Sequence, residues 1–378
     1  MLLTPMPLSA SERERYSRHL LLAEVGDAGQ EKLKAARVLI IGAGGLGSPA
    51  ALYLAAGGVG TLGLVDFDCL EESNLQRQVL FDTADIGAHK AQRARARLLA
   101  LNPHVQVVAH ALELSAANIE ALFGDYELII DGSDRVATRY LVNDACVLYA
   151  KPLVSAAIHR FEGQAMTYVP QRGPCYRCLF PTPAEGVVPS CAEAGVLGVL
   201  PGVMGSLQAT EAIKLILGVG QPLLGRLLSY DALAMSFDEF RFRRRADCAV
   251  CGEQPTILSP QDPPGFCTRE ELRRVPSISA AHLSQRLAAA DAPSLIDVRE
   301  ADEFALGHLP QARNVPLSRI ERSAQDLPES GDVIFVCRSG VRSRKAAALA
   351  RRAGSSGALQ LEGGLLAWQA GVDPSLRL

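Results

Sequence analysis

From Arg37 to Ser155 the chain alternates short aliphatic runs with longer stretches of helical period: "RVLII", "SPAALYLAAGG", "TLGLVDF", "KAQRARARLLALN", "VQVVAHAL", "ELIIDGSD", "RYLVNDACVLYA" and "PLVSAA". Runs apolar at every position suit strands buried on both faces, and their alternation with helices predicts a parallel sheet of Rossmann-like α/β type. After Cys251 the pattern dissolves into a proline- and glycine-rich stretch, then resumes as a smaller helix and strand series, "AHLSQRLAAA", "SLIDVRE", "VIFVC", "RSRKAAALARRAG" and "LLAWQAG". This predicts a first domain over 1–252, a linker over 253–277 and a second, smaller α/β domain over 278–378. The most apolar stretch, Ala50–Phe67, holds four glycines and ends in acids, so it reads as buried helix, turn and strand rather than a membrane span.

Composition narrows the function classes. The 378 residues carry 38 Lys+Arg against 41 Asp+Glu, a net charge of −3, which argues against bulk electrostatic binding to nucleic acid or to an acidic membrane. The N-terminal segment lacks a basic region followed by an apolar one, so a cytoplasmic location is expected. Nine cysteines without such a leader point to metal or thiol chemistry rather than a disulfide framework.

Three constellations carry chemistry. The first is "LIIGAGGLGSP", a strand running into Gly42, Gly44 and Gly47 at G-x-G-x-x-G spacing. The turn serves dinucleotide and ATP enzymes alike, and Asp66, about 20 residues on, fits a ribose-binding acid in either. The segment after Asp66 decides between them: Ser73, Asn74, Gln76, Arg77 and Lys90 come within reach of the same strand ends. A triphosphate needs cations, and the turn has no Walker lysine, so Arg77 and Lys90 are the suppliers; Asp134, after the strand "ELIID", suits Mg²⁺. Taken singly, Arg77 and Lys90 read as solvated charges; in this arrangement they read as phosphate ligands. A nicotinamide-dependent oxidoreductase and a non-catalytic scaffold that binds ATP stay as rival readings.

The second constellation is two C-x-x-C knuckles, Cys175 with Cys178 and Cys248 with Cys251, whose four thiolates suit tetrahedral structural zinc. The third is the strand "VIFVC" ending in Cys337, then the loop Arg338, Ser339, Gly340, Val341 and Arg342, then a helix. Backbone amides, a helix N-terminus and the two arginines would all favour an anionic sulfur, thiolate or persulfide. A cysteine phosphatase loop would need its arginine one place later, where Ser343 stands.

Together "RYSRH", "GAGGLGSP", "LVDFD", "SNLQRQ", "IGAHKA", "DGSDRVATR", "PCYRCLFP" and "GSLQATEAIK" resemble the ubiquitin-activating-like adenylyltransferases, in their molybdopterin-synthase branch, from about Ser11 to Gly252. The resemblance implies ATP rather than NAD, with Gly45 at the phosphates, Asp66 at the ribose, Asn74, Arg77 and Lys90 at the polyphosphate, Asp134 at Mg²⁺ and Arg135 adjoining. It further implies a homodimer in which Arg18 reaches the neighbouring subunit's site, although His19 stands where the family has glutamine, and a nucleophilic or resolving role for Cys191. The region from about Ile278 resembles a rhodanese domain, with Cys337 as its active thiol and Asp297, Arg299, His308 and Asn314 as framework. The fusion implies adenylation of the C-terminal Gly-Gly carboxylate of a small ubiquitin-like sulfur carrier, then sulfur transfer from a Cys337 persulfide to give a thiocarboxylate, as in molybdenum cofactor biosynthesis. The sulfur donor would be a cysteine desulfurase or thiosulfate. Cys69, Cys146 and Cys267 get a structural reading only, His110 and His159 read as packed, and "FRFRRRADC" reads as a solvated strand edge.

Overall fold

The computed structural model describes residues 7–182, 195–262, 267, 269–289, 292–322 and 332–377; Cys191 lies outside the described residues. The chain divides into two compact units, one reaching to Asp262 and the other starting at Pro263.

The first unit is built on an eight-stranded sheet of order β3-β2-β1-β4-β5-β6-β7-β8. Strands β1 (Arg37–Ile41), β2 (Thr61–Val65), β3 (Gln106–His110), β4 (Leu128–Asp131) and β5 (Leu153–His159) are parallel. The two-residue period sorts β1 across both faces. Val38 and Ile40 join a cluster with Leu54, Leu62, Leu64 and Leu98, while Leu39 and Ile41 join Phe123, Tyr126 and Val142 on the other side. Burial on both faces explains why these strands read as continuous apolar runs.

Three antiparallel strands, β6 (Glu162–Tyr168), β7 (Arg226–Asp231) and β8 (Ser236–Arg241), extend the sheet. β8 is exposed along most of its length, matching the solvated edge expected of "FRFRRRADC". The helix Leu200–Leu217 packs against β5 and the helix Gly47–Ala56 and ends at Gly218, whose φ of +76° gives a left-handed cap. No described helix is long and apolar enough to cross a membrane.

The second unit is a five-stranded parallel sheet of order β11-β10-β12-β13-β9, from β9 (Ser277–Ile278), β10 (Ser294–Asp297), β11 (Arg313–Asn314), β12 (Val333–Val336) and β13 (Ala358–Leu361). The central strand β12 is buried throughout and ends directly at Cys337.

Candidate nucleotide, metal and sulfur sites

The glycine turn links β1 to the helix Gly47–Ala56. Gly42 takes a φ of +88°, and a Cβ at Gly47 would overlap the Gly42 carbonyl oxygen, so both positions require glycine. Asp66, just past β2, fastens the turn: Oδ2 accepts from the Ala43 amide at 2.9 Å and Oδ1 from the Asp68 amide at 2.9 Å. Burial pushes the Asp66 carboxyl up from its ordinary range, against the pull of Lys90 and the two amides. Lys90, itself buried, opens the helix Lys90–Leu101 with Nζ 3.7 Å from Asp68.

Around this turn the structure gathers several of the residues expected at a nucleotide site. Asn74 is buried in the short turn Glu72–Asn74, and Arg77 donates to the Ser73 carbonyl at 3.0 Å. A Cβ at Gly45 would sit 3.7 Å from Arg77 Cδ and 3.2 Å from Pro201, and one at Gly44 would sit 3.7 Å from the Gln78 side chain. Gln76 is exposed and packs against Gly198, and Ser73 is exposed beside Glu71. Asp134, exposed, follows the end of β4 and faces the half-buried Arg139. Arg135 is turned to Glu113 at 2.6 Å and lies over the Phe67 ring at 4.8 Å. Arg18 is exposed on the helix Ser17–Leu20 and is not brought into this group of residues within the chain.

Several groups here escaped the sequence reading. Asp131, fully buried at the end of β4, accepts from Ser133 Oγ at 2.6 Å and Ser155 Oγ at 3.3 Å and lies 3.7 Å from Arg139 Nε. Burial, the largest single effect, would lower Arg139; Asp131, Tyr176 and Asp134 together outweigh it, and the guanidinium is held above its ordinary value. Gln208, from the helix Leu200–Leu217, donates to the Asp131 carbonyl at 2.7 Å. The only signal for these residues was polar side chains inside otherwise apolar runs, which a periodicity reading assigns to the core.

The four knuckle cysteines converge, with all four Sγ atoms within 4.8 Å of one another. Cys175 and Cys248 are 3.6 Å apart and Cys178 and Cys251 3.4 Å, close to the edge of about 3.8 Å that a tetrahedron of Zn–S bonds requires. Contact among the four sulfurs pulls Cys178 and Cys248 down, Cys178 to about 6, and holds Cys175 and Cys251 up. Four converging sulfurs, three of them buried and that of Cys251 half-buried, fit a closed, structural metal site. Cys146 and Cys267 are buried and raised by burial, as packed thiols are. Cys69 is half-buried with Sγ 3.7 Å from His89 Nδ1. His110 is packed, bonding the Tyr126 hydroxyl at 2.9 Å; His159, in contrast, is exposed at the end of β5, where the strand leaves the core.

Cys337 is buried, and its Sγ accepts from the amides of Gly340 at 3.2 Å and Ser343 at 3.3 Å. Gly340, at φ +91°, lets the loop turn these amides inward. The loop is fastened to the helix Gly364–Gly371, which follows β13, Leu365 N donating to the Cys337 carbonyl at 2.8 Å and Leu366 N to that of Arg338 at 3.0 Å. A Cβ at Gly364 would overlap these carbonyls. Arg338 and Ser339 are exposed, as is Val341 at the helix start. Arg342 is held in a bidentate pair with Glu303 at 2.5 and 2.6 Å, which neutralises much of the charge expected to act on the sulfur. That pairing in turn holds the Glu303 carboxyl below its ordinary range. Behind the loop, buried Asp297 and Arg299 pair at 2.7 Å, Arg299 caps the Gly307 carbonyl, and Asn314 bonds the carbonyls of both; His308 stacks on Phe304 at 3.8 Å. The Ser343 amide was not anticipated, because the spacing argument used that position only to set phosphatases aside.

Both units match known families. Residues 16–250 match the ThiF family and residues 279–371 the rhodanese-like domain. The chain is 45% identical to the probable adenylyltransferase/sulfurtransferase MoeZ of Mycobacterium tuberculosis, over 98% of this chain and 97% of that one. It is 42% identical to the adenylyltransferase and sulfurtransferase MOCS3 of Sus scrofa (98% and 89%) and 52% identical to the sulfur carrier protein adenylyltransferase of Thermus thermophilus (69% and 99%). Among solved structures, E. coli MccB with ATP is 26% identical with a TM-score of 0.56, covering 63% of this chain and 74% of that one. The chain belongs to the ThiF family and is an adenylyltransferase and sulfurtransferase carrying a C-terminal rhodanese-like domain.

Proposed function

We propose that the chain activates the C-terminal Gly-Gly carboxylate of a small ubiquitin-like sulfur carrier with ATP and then converts it to a thiocarboxylate with sulfur carried on Cys337. The observation that carries this reading is one chain holding both a glycine turn clamped by Asp66 beside Lys90 and Arg77, and a thiol seated in a ring of amides. Residues 1–252 would adenylate, 253–277 would link, and 278–378 would transfer sulfur. In the first step a carboxylate oxygen attacks the α-phosphorus and pyrophosphate leaves. Gly42, Gly44, Gly45 and Gly47 let the backbone approach the phosphates, Asp66 takes the ribose hydroxyls, and Arg77, Lys90, Asn74, Ser73 and Gln76 line the polyphosphate path, with Arg135 adjoining. Asp134 would hold Mg²⁺, which when bound offsets the charge on the departing pyrophosphate. Positioning and electrostatics account for this step without an obligatory general base.

In the second step the outer sulfur of a Cys337 persulfide attacks the acyl adenylate, and AMP leaves with the bonding pair. A thiolate, from Cys191 or an external thiol, then attacks Cys337 Sγ of the resulting acyl disulfide, forming a new disulfide with Cys337 while the S–S bond breaks with its electron pair on the departing thiocarboxylate. Arg338, Ser339, Gly340, Val341 and Arg342 form the cradle for that sulfur. Cys175, Cys178, Cys248 and Cys251 would hold zinc. We further propose a cytoplasmic homodimer in which Arg18 serves the partner's nucleotide site, loaded by a cysteine desulfurase or thiosulfate.

The test is exchange of labelled pyrophosphate into ATP, with and without a set of carriers ending Gly-Gly, beside NAD binding as a control. Exchange that needs a carrier supports the reading and selects the pathway. Bound ATP with no exchange for any carrier would sink it.

A further inference from the structure

The floor of the sulfur loop supports an assignment that rests on the reading of Cys337 as the sulfur-bearing thiol and goes beyond it. Ser343 is fully buried, with Oγ 3.4 Å from Cys337 Sγ. The same hydroxyl lies 3.1 Å from the Gly340 carbonyl oxygen and 3.5 Å from the side-chain amide of Gln360, a fully buried residue of β13. A hydroxyl has one proton to donate, so it serves the carbonyl or the sulfur, not both. The state of the sulfur decides. A neutral thiol donates S–H to Oγ, and Ser343 then donates to Gly340. A thiolate has no proton to give, and the hydroxyl turns to donate to it.

Gln360 sets the direction of this exchange. With its amide oriented to satisfy both ends, the oxygen accepts from Arg344 Nη2 at 3.2 Å and Ser277 Oγ at 2.7 Å, while the nitrogen donates to the Leu361 carbonyl at 2.7 Å and faces Ser343. An amide nitrogen only donates, so Ser343 Oγ accepts from Gln360 and its own proton is directed to the Gly340 carbonyl or the sulfur. The bonds of such a chain polarise one another, and its head is a guanidinium.

We propose that Ser343 is a catalytic residue of the sulfur transfer, its hydroxyl donating to Cys337 Sγ whenever that sulfur carries negative charge, and that Gln360 and Arg344 are positioning residues which hold it in that role. That charge is used when the cradle is loaded: Cys337 Sγ attacks the outer sulfur of a desulfurase persulfide or of thiosulfate, a new S–S bond forms on Cys337, the donor's S–S bond breaks with its electron pair on the desulfurase thiolate or on sulfite, and Ser343 stabilises the attacking thiolate. Other charged or titratable groups around Cys337 are Arg338 and the Arg342–Glu303 pair at the loop, Asp297 with Arg299 at β10, Glu362 after β13, and Cys267, Arg319 and the Glu321–Lys345 pair beside helix Leu317–Arg322. The helix Gly364–Gly371 contributes none. All of these stay unaltered in the Ser343 and Gln360 variants.

The experiment measures the rate of Cys337 alkylation by iodoacetamide across pH in the full-length chain, read by mass spectrometry of the Cys337 peptide. Ser343→Ala should move the midpoint upward, slowing alkylation about tenfold below it, and leave the high-pH plateau within about twofold. Ser343→Thr, which keeps the hydroxyl, should restore the wild-type midpoint, and Gln360→Leu should move it the same way by less. An unmoved midpoint in Ser343→Ala overturns the proposal, as does a collapsed plateau with the midpoint kept, which would mark a packing role. Should Ser343→Ala not fold, an unmoved midpoint in Gln360→Leu overturns it. Wild-type chain treated with thiosulfate or a desulfurase and showing no added sulfur on the Cys337 peptide would instead refute the sulfur reading, and these profiles would be unaffected by that outcome.

Discussion

Removing metal from the four-cysteine cluster gives a prediction whose size is set by the chain. A zinc ion bound there ties Cys175 to Cys248 and Cys178 to Cys251, each pair separated by 73 residues. Treated as a cross-link, closing a loop of that length removes denatured-state entropy corresponding to about 4 kcal/mol at room temperature. Metal-binding energy adds to this, so the figure is a lower bound. For a unit of this size each kcal/mol moves the melting temperature by roughly 2–4 °C. Chelation, or Cys248→Ser, should therefore lower the melting transition of the first unit by about 8–16 °C. Calorimetry with and without a strong chelator measures the shift, and elemental analysis should find one zinc per chain. Cys69→Ser, outside the cluster, is the control. A chelated protein that melts within about 2 °C of the untreated one, or a chain purified without stoichiometric zinc, would refute the argument that these sulfurs form a stabilising metal site.

Gly47→Ala places a Cβ against the Gly42 carbonyl oxygen, so pyrophosphate exchange should be lost together with at least ~2 kcal/mol of stability in urea unfolding; normal activity would show that the turn can open. Cys337→Ala should leave pyrophosphate exchange within about twofold and abolish thiocarboxylate formation when only a physiological sulfur donor is supplied; loss of exchange would contradict separate sites. Because Asp66 is raised in the folded state, the native protein holds that proton to higher pH than the unfolded chain. Its contribution to stability is greatest at acid pH and declines from about pH 4 upward through the folded-state value. Urea midpoints between pH 4 and 7 should thus fall more steeply in the wild type than in Asp66→Asn, and parallel curves would show that Asp66 does not titrate in this way.

The parallel sheets of both units were legible because parallel strands buried on both faces leave unbroken apolar runs, as "RVLII" and "VIFVC" do. The glycine turn and the cysteine knuckles were legible because each function leaves few choices of residue at fixed spacing. What stayed hidden depends on distance in space. Nothing local marks Gln208, 77 residues from Asp131, as the donor that ties the long helix to the end of β4. Arg342 read as a charge for the sulfur, since its spacing is right, but its partner Glu303 lies 39 residues earlier on a different helix. The antiparallel strands β6 to β8 were also obscure, because polar residues, set among buried ones in β6 and exposed along β8, break the apolar run that marked β1. Ser343 escaped because a small polar residue beside a cysteine has no pattern of its own.

The fastening of the Cys337 loop has a kinetic consequence. Its carbonyls are bonded to Leu365 and Leu366, Gly364 fills the space beneath them, and Arg342 is clasped by Glu303. A loop anchored at so many points is a stationary target: it does not swing sulfur towards a recipient. Turnover would then be governed by how often an activated carboxylate is delivered to that fixed point, so tethering and local concentration, more than motion of the thiol, would set the pace of transfer.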